Sequence, residues 1–194
     1  MVTTNKEVWA DKIKMYGLHG LSKDAWKRYS DEGFVHYHVI FPGFKYNMMD
    51  IQAAIGIHQM RKLDNFVRVR SKYAKIYDAQ LGEMEELVIP FAKPNGLHGR
   101  HLYPMRLNLE MLNSDRGTFV KKMKENNIGT TVNFIPIHHH PYYQKEWGFK
   151  AGDYPRTEEV YKGLVSIPLY PKMSLDDVED VISAIKSVIA EMRR

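Results

Sequence analysis

GFKYNMMDIQAAIGIHQMRKLDNFVRVRSKYAKIYDAQL, residues 43–81, opens as a turn and continues as one long helix. Pro42 and Gly43 punctuate its start. From Met48 onward Ile51, Ala54, Ile55, Leu63, Phe66, Val67, Ala74, Tyr77 and Leu81 recur at three- and four-residue spacings, and no proline interrupts them. That period gathers apolar side chains on one helical face. The helix is long enough to belong to both of its neighbours, so the pattern predicts two units with a boundary inside it.

Upstream, Thr4-Asn5-Lys6-Glu7 has the spacing of a capping box. It predicts a helix to about Met15, ending near Gly17, with Val8, Trp9, Ile13 and the stem of Lys12 on its buried side. GLHGLSKDAWKRYSDEGFVHYHVIFPGFKYN, residues 17–47, is rich in glycine, aromatics and histidine without sustained periodicity. It reads as a long ordered loop, and loops of that length are usually functional.

Downstream of Gly82 the order is that of a compact α+β unit. Leu87 to Phe91 and His101 to Leu109 are expected strands, followed by a helix from about Ser114, a β-rich run from Ile128 to Ile135 and a short helix from Arg156 to Gly163. Leu164 to Leu169 is a short strand whose pairing Pro168 and Pro171 restrict. Ser174 caps a final helix with Val178, Val181, Ile182, Ile185, Val188, Ile189 and Met192 in one apolar stripe.

Composition bounds the function. With 194 residues, 44% hydrophobic and 26% charged, the chain is an ordinary globular protein. No apolar run approaches the roughly 18 residues of a membrane span, and the N-terminus has no targeting pattern, so a soluble cytoplasmic protein is expected. Cysteine is absent, which excludes disulfides and thiolate metal sites. The net charge of +5 suits an anionic partner, whether nucleotide sugar, cofactor phosphate or nucleic acid. The absence of a Lys/Arg cluster with interleaved aromatics argues against nucleic acid.

Two segments concentrate polar chemistry. Lys45 and Asn47 stand just before the long helix, where free backbone N–H groups and the helix dipole favour an anion. A plain alternative is that Asn47 only caps the helix, with Asp50 in its first turn and Lys45 solvated. The second segment, TTVNFIPIHHHPYY at 130–143, ends a β run in three histidines. On an extended strand His138 and His140 share a face and His139 does not, and no carboxylate is close in sequence. His36 and His38 have the same alternate spacing, yet no zinc site is expected. Glycine-rich phosphate loops, a nucleophile elbow and paired carboxylates are all missing.

GFKYNMMDIQAAIGIHQMRKLD, together with HGLSKDAWKRY, HLYPMRLN, NIGTTVNFIPIHHHPYY and SIPLYPKMSLDDVEDVI, resembles the DegT/DnrJ/EryC1/StrS sugar aminotransferases in motif and order. The Lys45-Tyr46-Asn47 form resembles the branch that includes aminoarabinose-forming enzymes. The resemblance implies an α/β protein of the aspartate-aminotransferase-like fold. Residues 1–50 would be a remnant of the large domain that binds pyridoxal phosphate (PLP), 51–81 a linking helix, and 82–194 the small α+β domain.

It also implies a PLP enzyme that takes an amino group from glutamate and gives it to a nucleotide-linked keto sugar, working as a homodimer with shared sites. Met1-Val2-Thr3-Thr4 resembles the end of the turn that follows the family's Schiff-base lysine, so that lysine is expected before residue 1, with no catalytic residue in this chain. Lys45 and Asn47 match positions that reach the phosphate of the neighbouring subunit's PLP. His138 matches a pocket-lining position, and Asn133 stands where the family usually has histidine, making both substrate-contact candidates. Isolated, the chain is expected to be inactive and not to retain PLP. It would be a truncated product, one half of a split enzyme needing an N-terminal large domain, or a non-catalytic dimerisation or anion-binding module.

Overall fold

The computed structural model describes residues 2–22, 38–93 and 96–194. His36 and most of the HGLSKDAWKRY stretch lie outside the described residues. The chain divides into two compact units, Met1–Arg61 and Lys62–Arg194.

In the first unit, helix α1 spans Glu7–Gly17. The expected capping box is not formed: Lys6 is the N-cap and makes no side-chain cap bond, while Thr4 Oγ1 accepts from the Lys6 N–H at 3.1 Å. The expected buried face is exposed as well, with Val8 67%, Trp9 54% and Ile13 41% accessible. Periodicity marks an apolar face without saying whether this chain covers it.

What holds the first unit together is backbone lacing. Phe44 N–H donates to Tyr16 O at 2.7 Å, His19 N–H to Phe44 O at 2.8 Å, and Tyr46 N–H to Gly17 O at 2.8 Å. Two glycines permit the close approach. Gly20 sits at φ +70°, and a Cβ there would lie 1.8 Å from Phe41 O; one on Gly43 would lie 2.1 Å from Gly20 N.

Helix α2, Asp50–Leu81, runs 32 residues. Its first half presents Ile51, Ile55, Ile57 and Met60 to solvent. Only Tyr73, Ala74, Tyr77 and Leu81 are buried, and these belong to the second unit's core.

That core is built on a three-stranded antiparallel sheet in the order β1 (Leu87–Val88), β2 (Tyr103–Leu107), β3 (Leu164–Ile167). Tyr103 faces Ile167 and Leu87 faces Leu107. β2 alternates buried and half-buried residues, as the period of two demands. Helix α3, Arg116–Glu125, is capped by Asp115, whose carboxylate accepts from the Thr118 N–H at 2.8 Å. Helices α4 (Pro141–Trp147) and α5 (Pro155–Gly163) follow.

Helix α6, Leu175–Met192, starts with a complete capping box between Ser174 and Asp177 and buries every residue of its expected stripe. Each Val or Ile so buried contributes about 1.5–3 kcal/mol. Phe119 and Met123 of α3 pack into the same cluster. Three tyrosine hydroxyls brace it: Tyr73 donates to Met173 O at 2.5 Å, Tyr77 to Pro168 O at 2.9 Å, and Tyr103 to Asp78 Oδ1 at 2.7 Å.

The β-rich run expected at Ile128–Ile135 is reduced to a single bridge, Thr131 to Ser166. β3 is only four residues long and Pro168 follows it, so the ladder has no partner with which to continue. α4 was not expected from the sequence, although Pro141 at its first turn and Gly148 just past its end, at φ +70°, are start and stop signals.

Candidate functional site

The two polar segments lie in different units and are built differently. In the first unit, Lys45 is exposed and its backbone bridges to Leu18. Asn47 is half-buried and its Oδ1 is buried without a hydrogen-bond partner. It does not cap α2: the helix begins at Asp50, and Gln52 Oε1 accepts the Met49 N–H at 3.0 Å. Asn47 lines a cavity of about 870 Å³ with Trp9, Lys12, Ile13, Tyr16 and Phe44. Lys45 is not among the lining residues. Tyr46 stacks on Phe44 with ring centroids 5.0 Å apart, stiffening the segment between the two candidates.

A buried amide with an unanswered polar atom is costly unless something outside the chain pairs with it. An ammonium two residues away in sequence and the backbone N–H groups at the start of a 32-residue helix are donors of the kind an anion accepts, whereas the orphaned Asn47 Oδ1 is an acceptor.

The second segment departs from the extended geometry assumed for it. Ile137–His139 is a turn of 3₁₀-helix, and in a turn neighbouring side chains no longer alternate across a sheet. His138 and His139 therefore converge, with rings 4.3 Å apart, while His140 stays exposed. The carboxylate that seemed absent comes from α5, 20 residues from His138. Glu158 Oε1 lies 2.8 Å from His138 Nε2 and 3.2 Å from His139 Nε2, and it accepts the Gly152 N–H at 2.7 Å. The Gly152 N–H, then His138, then His139 hold the Glu158 carboxyl down to about 2.

His138 is only 4% exposed, and Tyr154 stands over its ring at 4.8 Å. Asn133 is half-buried, and its Oδ1 accepts from Thr131 Oγ1 at 3.1 Å. Asn133 and His138 flank the segment before α4. Glu158 and His139 are the members of this cluster that the spacing in the sequence does not reveal.

A further cavity of about 950 Å³, lined among others by Asn127, Ile128, Ser166, Tyr170 and Asp177, includes none of Lys45, Asn47, Asn133 or His138. Size alone does not mark the chemistry.

An antiparallel sheet backed by helices and entered along one very long helix is half of an aminotransferase fold. The aminotransferase PseC of Helicobacter pylori matches with a TM-score of 0.85 at 19% identity, over 97% of this chain and 48% of its own. The PLP-form of a putative sugar aminotransferase from Streptococcus pneumoniae matches with a TM-score of 0.83 at 23% identity, over 97% and 45%.

The family is settled by sequence: residues 1–186 match the DegT/DnrJ/EryC1/StrS aminotransferase family, and the chain belongs to it. An uncharacterized protein of Methanocaldococcus jannaschii is 49% identical over 100% of this chain and 50% of its own length. The spore coat polysaccharide biosynthesis protein SpsC of Bacillus subtilis is 44% identical over 97% and 49%. The chain thus spans about half the length of the curated relatives it matches.

Proposed function

We propose that this chain forms the C-terminal portion of a PLP-dependent transaminase that moves an amino group from glutamate to a nucleotide-linked keto sugar, acting in the cytoplasm as a homodimer. The product would serve surface polysaccharide, glycan or antibiotic-sugar synthesis. Family membership supports the reaction class, and the Bacillus relative's role in spore coat polysaccharide supports a sugar substrate. The observation that carries the site is the buried, unpartnered Oδ1 of Asn47, two residues from Lys45 in sequence.

In this reading Lys45 and Asn47 hold the phosphate of the neighbouring subunit's PLP. Lys45 contributes charge, and Asn47 contributes its Nδ2 donors once the amide is turned so that Nδ2 takes the place of the orphaned Oδ1. Bound PLP would act as the electron sink for the carbon that exchanges the amino group. Asn133 faces the sugar end, and His138, 4% exposed with Nε2 on Glu158, belongs to the wall of that pocket rather than to its open surface. Asn133 orients by hydrogen bonding, because a neutral amide cannot shuttle a proton as imidazole can. In this reading the chain alone neither retains PLP nor turns over.

The test combines the chain with the other half of the family fold, then follows PLP retention through dialysis and amino transfer from glutamate to a keto sugar nucleotide. The combination is expected to restore both, and Lys45→Ala or Asn47→Ala to weaken retention about tenfold, the worth of one charge-assisted hydrogen bond. Retention unchanged in both variants removes the phosphate assignment. A verified assembly without transfer removes the reaction.

A further inference from the structure

His138, His139 and Glu158 form a cluster of a different kind. Two imidazole nitrogens and one carboxylate oxygen lie within 4.8 Å of one another. One oxygen, Glu158 Oε1, faces both nitrogens and the Gly152 N–H. His138 Nε2 satisfies it at 2.8 Å. His139 Nε2, at 3.2 Å, is buried and poorly aligned for a hydrogen bond, and it is left without a partner.

A buried ring nitrogen aimed at an occupied oxygen is poorly served by hydrogen bonding alone. The same three atoms suit one cation. Two imidazoles and a carboxylate are a zinc donor set, and in a tetrahedral site such atoms stand about 3.4 Å apart at metal distances of roughly 2.0–2.1 Å. The present 2.8 and 3.2 Å place the carboxylate oxygen slightly too close to both nitrogens, and the two imidazole nitrogens lie within 4.8 Å of each other, so loading moves the carboxylate out by part of an ångström and turns the rings toward one another.

We propose that His138 Nε2, His139 Nε2 and Glu158 Oε1 form a binding site for a divalent cation of the zinc class, with a fourth position open to water. Both imidazoles bind through Nε2 as neutral Nδ1–H tautomers; on loading, the Nε2 proton of His138 is lost to solvent and one is taken up from solvent at Nδ1, with no net change in charge on the ring. The Gly152 N–H stays on the carboxylate as an outer-shell support. Tyr154 packs on the His138 ring and fixes its plane. His139 and Glu158 retain 28% and 19% of their side-chain exposure, which provides the entry path. The cation would tie the 137–139 turn to the start of α5. Cation binding at these three atoms requires neither amino transfer nor PLP.

The probes are Zn²⁺ and Co²⁺, added to chelator-treated chain. One Co²⁺ per chain with the visible bands of a tetrahedral site is expected, and Zn²⁺ should displace it. Imidazole nitrogen NMR with Zn²⁺ should shift Nε2 of both His138 and His139, which needs no variant. His139→Gln should weaken Zn²⁺ at least about tenfold, the effect that even an outer-shell partner carries, with circular dichroism unchanged. Sub-stoichiometric Co²⁺, octahedral spectra, or shifts confined to other histidines such as His140 would overturn the site. So would unchanged affinity in His139→Gln.

Discussion

Glu86 is a carboxylate at 3% exposure, matched chiefly by Arg193 Nε at 2.5 Å, with its own backbone N–H in support. That hydrogen bond holds the Glu86 carboxyl below its ordinary range, against the upward push of burial. A depressed folded-state value gives stability that is present above the unfolded value of about 4.3 and is lost as pH falls through the folded one. Arg193→Ala should therefore cost about 1–3 kcal/mol near neutrality by removing the charged partner of a buried carboxylate. The gap from the parent should narrow below about pH 4. Urea midpoints at both pH values check it, and a gap that ignores pH counts against the pair. Nothing in the sequence joins residues 107 apart. The His138–His139–Glu158 convergence was hidden for a nearer reason: strand alternation was carried through Pro136 and Pro141, where a strand does not run on.

Among the elements, α6 was the most legible, because its apolar residues keep one period for five turns and its start carries a cap. Ser174 Oγ accepts the Asp177 N–H at 3.0 Å, and Asp177 Oδ2 accepts the Ser174 N–H at 2.7 Å. Ser174→Ala should lower stability by about 1 kcal/mol, read from a denaturant midpoint with unchanged slope. No loss would mean that packing alone holds the helix start. α2 was equally legible as an element, yet its burial was not. Ile51 and Ile55 have the same spacing as Tyr73 and Tyr77, but only the second pair meets a core. The run from Ile128 to Ile135 shows the converse, since high strand propensity yields one bridge where no partner strand extends alongside.

At the scale of the molecule, the family motifs were readable because they are long and ordered, whereas the His138–His139–Glu158 cluster depends on groups brought from separate elements. The second unit's interior carries a consequence of its own. Tyr77 and Tyr103 give their hydroxyl protons to Pro168 O and Asp78 Oδ1, and burial, first among the causes, pushes both phenols well above the ordinary range. A raised folded-state value gives stability that is full below the unfolded value of about 10 and is lost as pH climbs from there toward the folded one. In an alkaline titration, exposed phenols should ionise gradually while these two hold back until the unit opens, then change absorbance together with loss of helical dichroism. Tyr103→Phe should shrink that late step. A single smooth phenolate curve, complete before the dichroism moves, would contradict it. Two buried rings thus give the chain an internal colour change that reports the parting of its long helix from its sheet.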